Sequence, residues 1–224
     1  MPPADGTLVA VRGGLAAVGE AVLPGPLALT DVAATGLHAA VLAGVGAGST
    51  VAVIGDGAVG LCPVLGARSI LGAERGILMS RHQDHQMVGR KFGATEIVAD
   101  RREAGVAAVR ELTQGLGARH GVEAVGTPDS WDMAVEMARD GGRIGAVGVP
   151  HTTPQLPLFE LFVHQLHISL GIAPLRHYLP DLIERVTTGP VDYSAVFDIS
   201  LPLEEVARGY AAISNRESIK VMLT

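Results

Sequence analysis

The chain has 224 residues, 48% apolar and 18% charged, and its 17 Lys and Arg against 23 Asp and Glu leave a net charge of −6. A mean hydropathy of +0.34 excludes a disordered chain and supplies material for a core. The acidic balance, with no basic cluster, argues against a nucleic-acid surface, and the single cysteine, Cys62, excludes an intrachain disulfide or a zinc centre built from several cysteines.

The length corresponds to about one and a half domains of ~150 residues. Glycine, 29 of 224 residues, is close to twice its usual share of ~7%. Met1 to Asp5 shows neither a basic nor an apolar leader region, so the expected location is the cytoplasm. The longest stretch without Asp, Glu, Lys or Arg, Val32 to Gly55, is broken by five glycines and carries His38, so no membrane helix is expected.

In chain order, the first thirty residues are Pro- and Gly-rich and read as a remnant of another domain. Thr50–Ile54 reads as a buried strand, followed by a glycine turn and a helix to about Leu71 that Pro63 should weaken or kink. Gly76–Met79, Glu96–Val98, Gly121–Val125, Arg143–Val147 and Leu166–Ile172 continue as strands. Between them lie helices at His82–Phe92, at Glu103–Gly115 and one capped by Asp129–Ser130, the last ending before Gly141–Gly142. Strands alternating with helices predict a doubly wound, six-stranded parallel sheet. Beyond Pro174 two amphipathic helices, about His177–Thr187 and Leu203–Ser214, precede a last strand at Ile219–Leu223. The boundaries expected are a remnant over 1–28, a nucleotide-binding domain over 29–173 and a C-terminal segment over 174–224.

Gly55-Asp-Gly57-Ala58-Val59-Gly60 is a G-x-G-x-x-G turn placed between a strand and a helix. Gly55 suits a tight turn, Gly57 a close approach of backbone to a pyrophosphate, and Gly60 close helix packing. The helix N-terminus then offers N–H groups to the phosphates. A plain packing turn is the alternative. An acidic residue about 20 positions on would select NAD(H), but no carboxylate occurs between Ile77 and Gln83. Ser80 and Arg81 stand there instead and favour NADP(H), since a guanidinium can hold a 2′-phosphate bidentately.

Other pairs carry less. His82/His85 and His164/His167 have i, i+3 spacing but no third ligand. Cys62 reads as a small core residue. The Tyr-x-x-x-Lys pair of short-chain dehydrogenases is missing.

The glycine turn and Ser80-Arg81-His82, with Leu29–Ala40, Lys91–Val98, Gly141–Pro150 and Phe197–Val206, resemble the zinc-containing alcohol dehydrogenases of the medium-chain dehydrogenase/reductase superfamily. The resemblance runs from about Leu27 to Thr224. It implies hydride transfer between NADP(H) and a small alcohol or carbonyl substrate, with zinc as Lewis acid. Asp31 matches one family zinc ligand, whereas the Gly-His-Glu string, an early Cys and a four-cysteine lobe have no counterpart, so the metal site is expected to be incomplete and activity impaired. The match places Gly55, Gly57, Ala58, Val59 and Gly60 on the pyrophosphate and Ser80 and Arg81 on the 2′-phosphate. Val125, Gly126, Val147, Gly148 and Val149 would flank the nicotinamide half, with Thr35 and His38 beside its pocket. Lys220 either reaches a phosphate or faces solvent. The C-terminal segment and Val22–Leu29 should leave apolar surface uncovered, which implies a homodimer or higher oligomer. The alternative to an enzyme is a non-catalytic, NADP(H)-binding, dimer-forming module.

Overall fold

The computed structural model describes residues 8–11, 13–14, 19, 22–152 and 155–224. Its contacts divide the chain into two units, Thr35–Ala173 on one hand and Met1–Ala34 with Pro174–Thr224 on the other.

The larger unit is built on six strands: β1 (Thr50–Ile54), β2 (Arg75–Met79), β3 (Glu96–Val98), β4 (Ala118–Glu123), β5 (Ala138–Ala146) and β6 (His167–Leu170). They form one sheet in the order β3-β2-β1-β4-β5-β6, every neighbouring pair parallel. The expected doubly wound sheet is present. Its register aligns Met79, Ile54, Glu123, Ala146 and Leu170 in one row at the carboxyl edge. The order reverses between β1 and β4, and ligands of such sheets bind outside the carboxyl ends at that point.

Helices cover the strands, so β1 can be apolar at every position, and Val51 to Ile54 are fully buried. After α1 (Pro24–Leu29) in the smaller unit come α2 (Val32–Leu42), α3 (Ala58–Leu65), α4 (Gln83–Lys91), α5 (Arg102–Leu112), α6 (Pro128–Met137) and α7 (Leu158–Val163). One core gathers Ile54, Ile77, Met79, Val98, Val109, Trp131, Met137 and Ile144. Pro63 lies inside α3 and leaves the Val59 carbonyl without its helical donor. The helix nevertheless continues and widens into a π turn over Gly66–Ile70, where Leu71 N–H donates to Gly66 O at 3.0 Å. A Cβ on Gly36 would collide with Cys62 and lie 2.8 Å from Pro63 Cδ, so α2 and α3 cross at this glycine.

Two expectations need correction. The cap of α6 is Thr127, in a reciprocal pair with Ser130, not Asp129–Ser130. β5 begins at Ala138, five residues before the expected Arg143, and carries Gly141 and Gly142 within it. Those glycines were read as a break. They occupy the stretch where pairing with β4 slips between Ala118 and His120.

In the smaller unit α1, which the sequence did not announce, lies against α8 (Leu175–Thr188), and a Cβ on Gly25 would come within 2.7 Å of Val186 Cγ1. Two short strands, β7 (Ile199–Leu201) and β8 (Val221–Leu223), pair in parallel on either side of α9 (Val206–Ser214). Asp198 ties them, accepting from Ser218 Oγ at 2.6 Å and Ile219 N at 2.9 Å. Lys220 precedes β8 rather than lying within it.

Exposed apolar side chains concentrate on the β6 edge more than on Val22–Leu29. Leu170 is 61% exposed and Ile172 93%, against 38% for Val22 and 45% for Leu27, with Ala28 and Leu29 buried; in the C-terminal segment Leu203 and Tyr210 are exposed as expected. No helix among the described residues is long and apolar enough to cross a membrane.

Candidate functional site

The glycine turn leaves β1 at the carboxyl edge. Gly55 has φ +117°, a conformation L side chains avoid, and a Cβ there would lie 3.0 Å from Val125 Cγ2. A Cβ on Gly60 would collide with the Gly55 carbonyl oxygen and sit 2.6 Å from its carbon. Gly60 therefore presses the first turn of α3 onto Gly55. Gly57 differs from both: its φ is −73°, and nothing lies within 4 Å of where its Cβ would stand. The space beside it is open. No side chain caps α3, so the N–H groups of Ala58, Val59 and Gly60 face outward from its first turn.

The end of β2 meets this turn through Asp56, which the sequence reading passed over as a spacer. Asp56 Oδ2 accepts the Ser80 hydroxyl at 2.8 Å and the Arg81 N–H at 3.3 Å. His85 Nδ1 lies 2.7 Å from the Asp56 carbonyl, and Gln86 Nε2 donates to Ser80 O at 2.7 Å. Ser80 and His85 are buried, while Arg81 is exposed. The corner expected to hold a 2′-phosphate thus contains a free-standing guanidinium beside a carboxylate that engages the Ser80 hydroxyl. The His82 and His85 rings stack at 5.1 Å rather than flanking a metal.

At the carboxyl ends of β4 and β5 the second group of expected residues comes together. Glu123, fully buried, accepts the N–H groups of Val125 and Gly126 on Oε1, each at 2.8 Å. Its backbone carbonyl accepts Val147 N at 3.0 Å and Gly148 N at 3.2 Å. Gly126 has φ +85°, and a Cβ on it would lie 2.6 Å from the Val149 carbonyl carbon. A Cβ on Gly148 would meet Val125 N at 2.6 Å. Gly55, Val125, Gly126, Gly148 and Val149 therefore form one continuous wall, with Val149 70% exposed at its rim. Thr35 and His38 lie half-buried on α2, and burial holds the His38 imidazole below its ordinary pKa of 6.5.

Glu123 was also missed. Its signal was available, since a carboxylate at the end of a strand in the middle of a covered sheet needs fixed N–H partners.

Residues 58–188, more than half of the chain, match the family "Zinc-binding dehydrogenase". The chain belongs to this family. A protein of Mycobacterium tuberculosis named "Probable zinc-binding alcohol dehydrogenase" is 37% identical over 191 residues, 85% of this chain and 48% of that protein. An alcohol dehydrogenase of Cupriavidus necator is 28% identical over 96% of this chain and 58% of its own length. Among solved structures, the alcohol dehydrogenase TADH from Thermus sp. ATN1 superimposes with a TM-score of 0.83 at 30% identity, covering 90% of this chain and 58% of that one. The chain spans about half the length of the curated relatives it matches.

The family name implies zinc, and the residues of this zinc-binding dehydrogenase chain can be tested for it. Asp31 is exposed, and among the described residues no three His, Cys, Asp or Glu side chains converge on a point that could hold a metal. His164 bonds Asp140 at 2.7 Å and lies 3.4 Å from Glu160, on the surface. The described residues do not compose a zinc site, which needs three or four convergent ligands.

Proposed function

We propose that the chain binds NADP(H) across the carboxyl ends of β1, β4 and β5, as the nucleotide-binding part of an alcohol dehydrogenase. The observation that carries this is the open volume at Gly57, set between a turn locked by Gly55 and Gly60 and the uncapped amides of α3. The pyrophosphate would rest on Gly57, Ala58, Val59 and Gly60. The nicotinamide would lie along Val125, Gly126, Val147, Gly148 and Val149. Arg81 is the side chain free to meet a 2′-phosphate, because Ser80 is engaged by Asp56.

The reaction supported by kinship is hydride transfer between NADP(H) and a small alcohol or carbonyl compound, in the cytoplasm. Because the described residues hold no three-ligand metal cluster, the chain by itself is expected to bind cofactor well and turn over alcohols weakly. Isothermal titration with NADPH and NADH, repeated on Arg81→Asp, tests the cofactor reading. Equal affinity of the unaltered chain for both nucleotides would remove the case for NADP(H).

A second reading, a non-catalytic NADP(H)-binding module that forms homodimers, is favoured by the β6 edge. Leu170, in a strand with one unpaired side, is 61% exposed, and Ile172 just after that strand is 93% exposed. Metal analysis with an alcohol-dependent assay separates the two. Stoichiometric zinc with NADP reduction supports the enzyme, and cofactor binding without either supports the module.

A further inference from the structure

The amino ends of β1, β2, β4 and β5 surround a cavity of about 320 Å³, at the opposite edge of the sheet from the glycine turn. Thr50 begins the strand that Ile54 ends, so roughly 13 Å of strand separates the two edges. The cofactor phosphates belong to the far edge. Arg75, Arg119, Arg139, His120, Thr50 and Gln114 contribute to the lining, and no Asp or Glu does. That is notable in a chain with 23 acidic and 17 basic residues.

The arginines are not equivalent. Arg75 donates to Glu96 Oε1 at 2.8 and 3.1 Å and to the Leu112 carbonyl at 3.1 Å, so its charge is matched. In that position it also covers the C-terminus of α5, whose carbonyls would otherwise repel an anion. Among the described residues neither Arg119 nor Arg139 has a hydrogen-bond or ion-pair partner. His120, buried, lines the same cavity, with Nδ1 2.8 Å from the Ala43 carbonyl. That contact assigns the proton to Nδ1 and leaves Nε2 an acceptor in the neutral ring. Burial first, and then the charges of Arg119, Arg143 and Arg139, hold this imidazole below its ordinary pKa of 6.5, against the pull of the Ala43 carbonyl. The titratable side chains that line the cavity are thus arginines and a histidine, with Arg75 alone paired to a carboxylate and Arg119 exposed to solvent.

We propose that this cavity is a binding site for a compact phosphate-class dianion, gripped by the guanidinium groups of Arg119 and Arg139. A planar guanidinium pairs two N–H groups with two phosphate oxygens, which makes a cavity lined by two arginines without partners among the described residues suited to this ligand class. The volume stands at the lower end of the ~300–1,000 Å³ typical of small-molecule sites, enough for phosphate with a small organic group.

The test is an NMR titration of the His120 ring with inorganic phosphate, with glycerol 3-phosphate, and with chloride at matched ionic strength. Both phosphates should raise the His120 pKa at concentrations where chloride leaves it unchanged. Arg119→Gln and Arg139→Gln should each weaken the effect by about tenfold. Arg81→Ala, at the other edge, should not alter it. Tighter binding of the ester identifies a phosphate monoester as the ligand, and tighter binding of the free ion identifies phosphate itself. A His120 titration identical in phosphate and chloride overturns the proposal. So does a phosphate response that survives in both arginine variants, each of which is folded by its amide spectrum.

Discussion

The Asp56 carboxylate and the Ser80 hydroxyl, 24 residues apart in the chain, meet at 2.8 Å between the glycine turn and the end of β2. The contact sets the electrostatics of the corner proposed to receive the 2′ position of the cofactor ribose. A carboxylate there disfavours a 2′-phosphate, and the neighbouring Arg81 favours it.

Replacing Asp56 with Asn keeps an oxygen for Ser80 and removes the charge. NADPH should then bind more tightly by about 1 kcal/mol, roughly fivefold, at an effective dielectric suited to a partly exposed pair. NADH affinity should change little. Parallel titrations of both nucleotides check this, and an equal gain for NADH would show that Asp56 acts on something other than the 2′-phosphate.

The three glycines of the turn should separate by measurement. Gly57→Ala meets open space, so the melting temperature of the free chain should stay within the error of the experiment while nucleotide binding falls by tenfold or more. Gly60→Ala drives a methyl into the Gly55 carbonyl and should lower stability by about 1–3 kcal/mol. Thermal unfolding with and without NADPH distinguishes the two.

Acid should weaken the fold through its buried histidines. The pKa values of His38 and His120 are both lowered from 6.5, so the unfolded chain takes up more protons than the folded one just below that pH. Stability is therefore fully present above about pH 6.5 and declines as pH falls toward the folded-state values. His120→Asn retains a donor for the Ala43 carbonyl and should flatten part of that decline in urea unfolding between pH 5 and 7.

If the β6 edge joins two copies, Ile172→Lys should yield monomers by light scattering while leaving NADPH affinity unchanged. A dimer that persists in this variant places the contact elsewhere.

Much of the larger unit was legible because its signals are local. The β-branched run of β1, three glycines at fixed offsets and the apolar stripe of α5 each lie within a dozen residues. In the smaller unit the helices at Leu175–Thr188 and Val206–Ser214 and the strand Val221–Leu223 were legible as well, but β7 and α1 were not, for the opposite reason. β7 has three residues, Ile199–Leu201, too few to show a period, and its partner β8 lies beyond an intervening helix. α1 is a six-residue helix in a Pro- and Gly-rich stretch, where composition argues against regular structure. The site divides in the same way. Gly55, Gly57 and Gly60 follow from spacing, but the contact of Asp56 with Ser80 and the gathering of Arg139 with Arg119 and His120 around one cavity arise only when strands are laid side by side.

The contact of Gly126 with the Val149 carbonyl, and of Gly148 with the backbone beside Gly126, leaves no room for a methyl group on either turn. The loops after β4 and β5 are therefore packed backbone against backbone. A side chain larger than hydrogen at either position has to displace the facing backbone, so substitutions that enlarge this end of the groove are expected to be tolerated in pairs rather than singly.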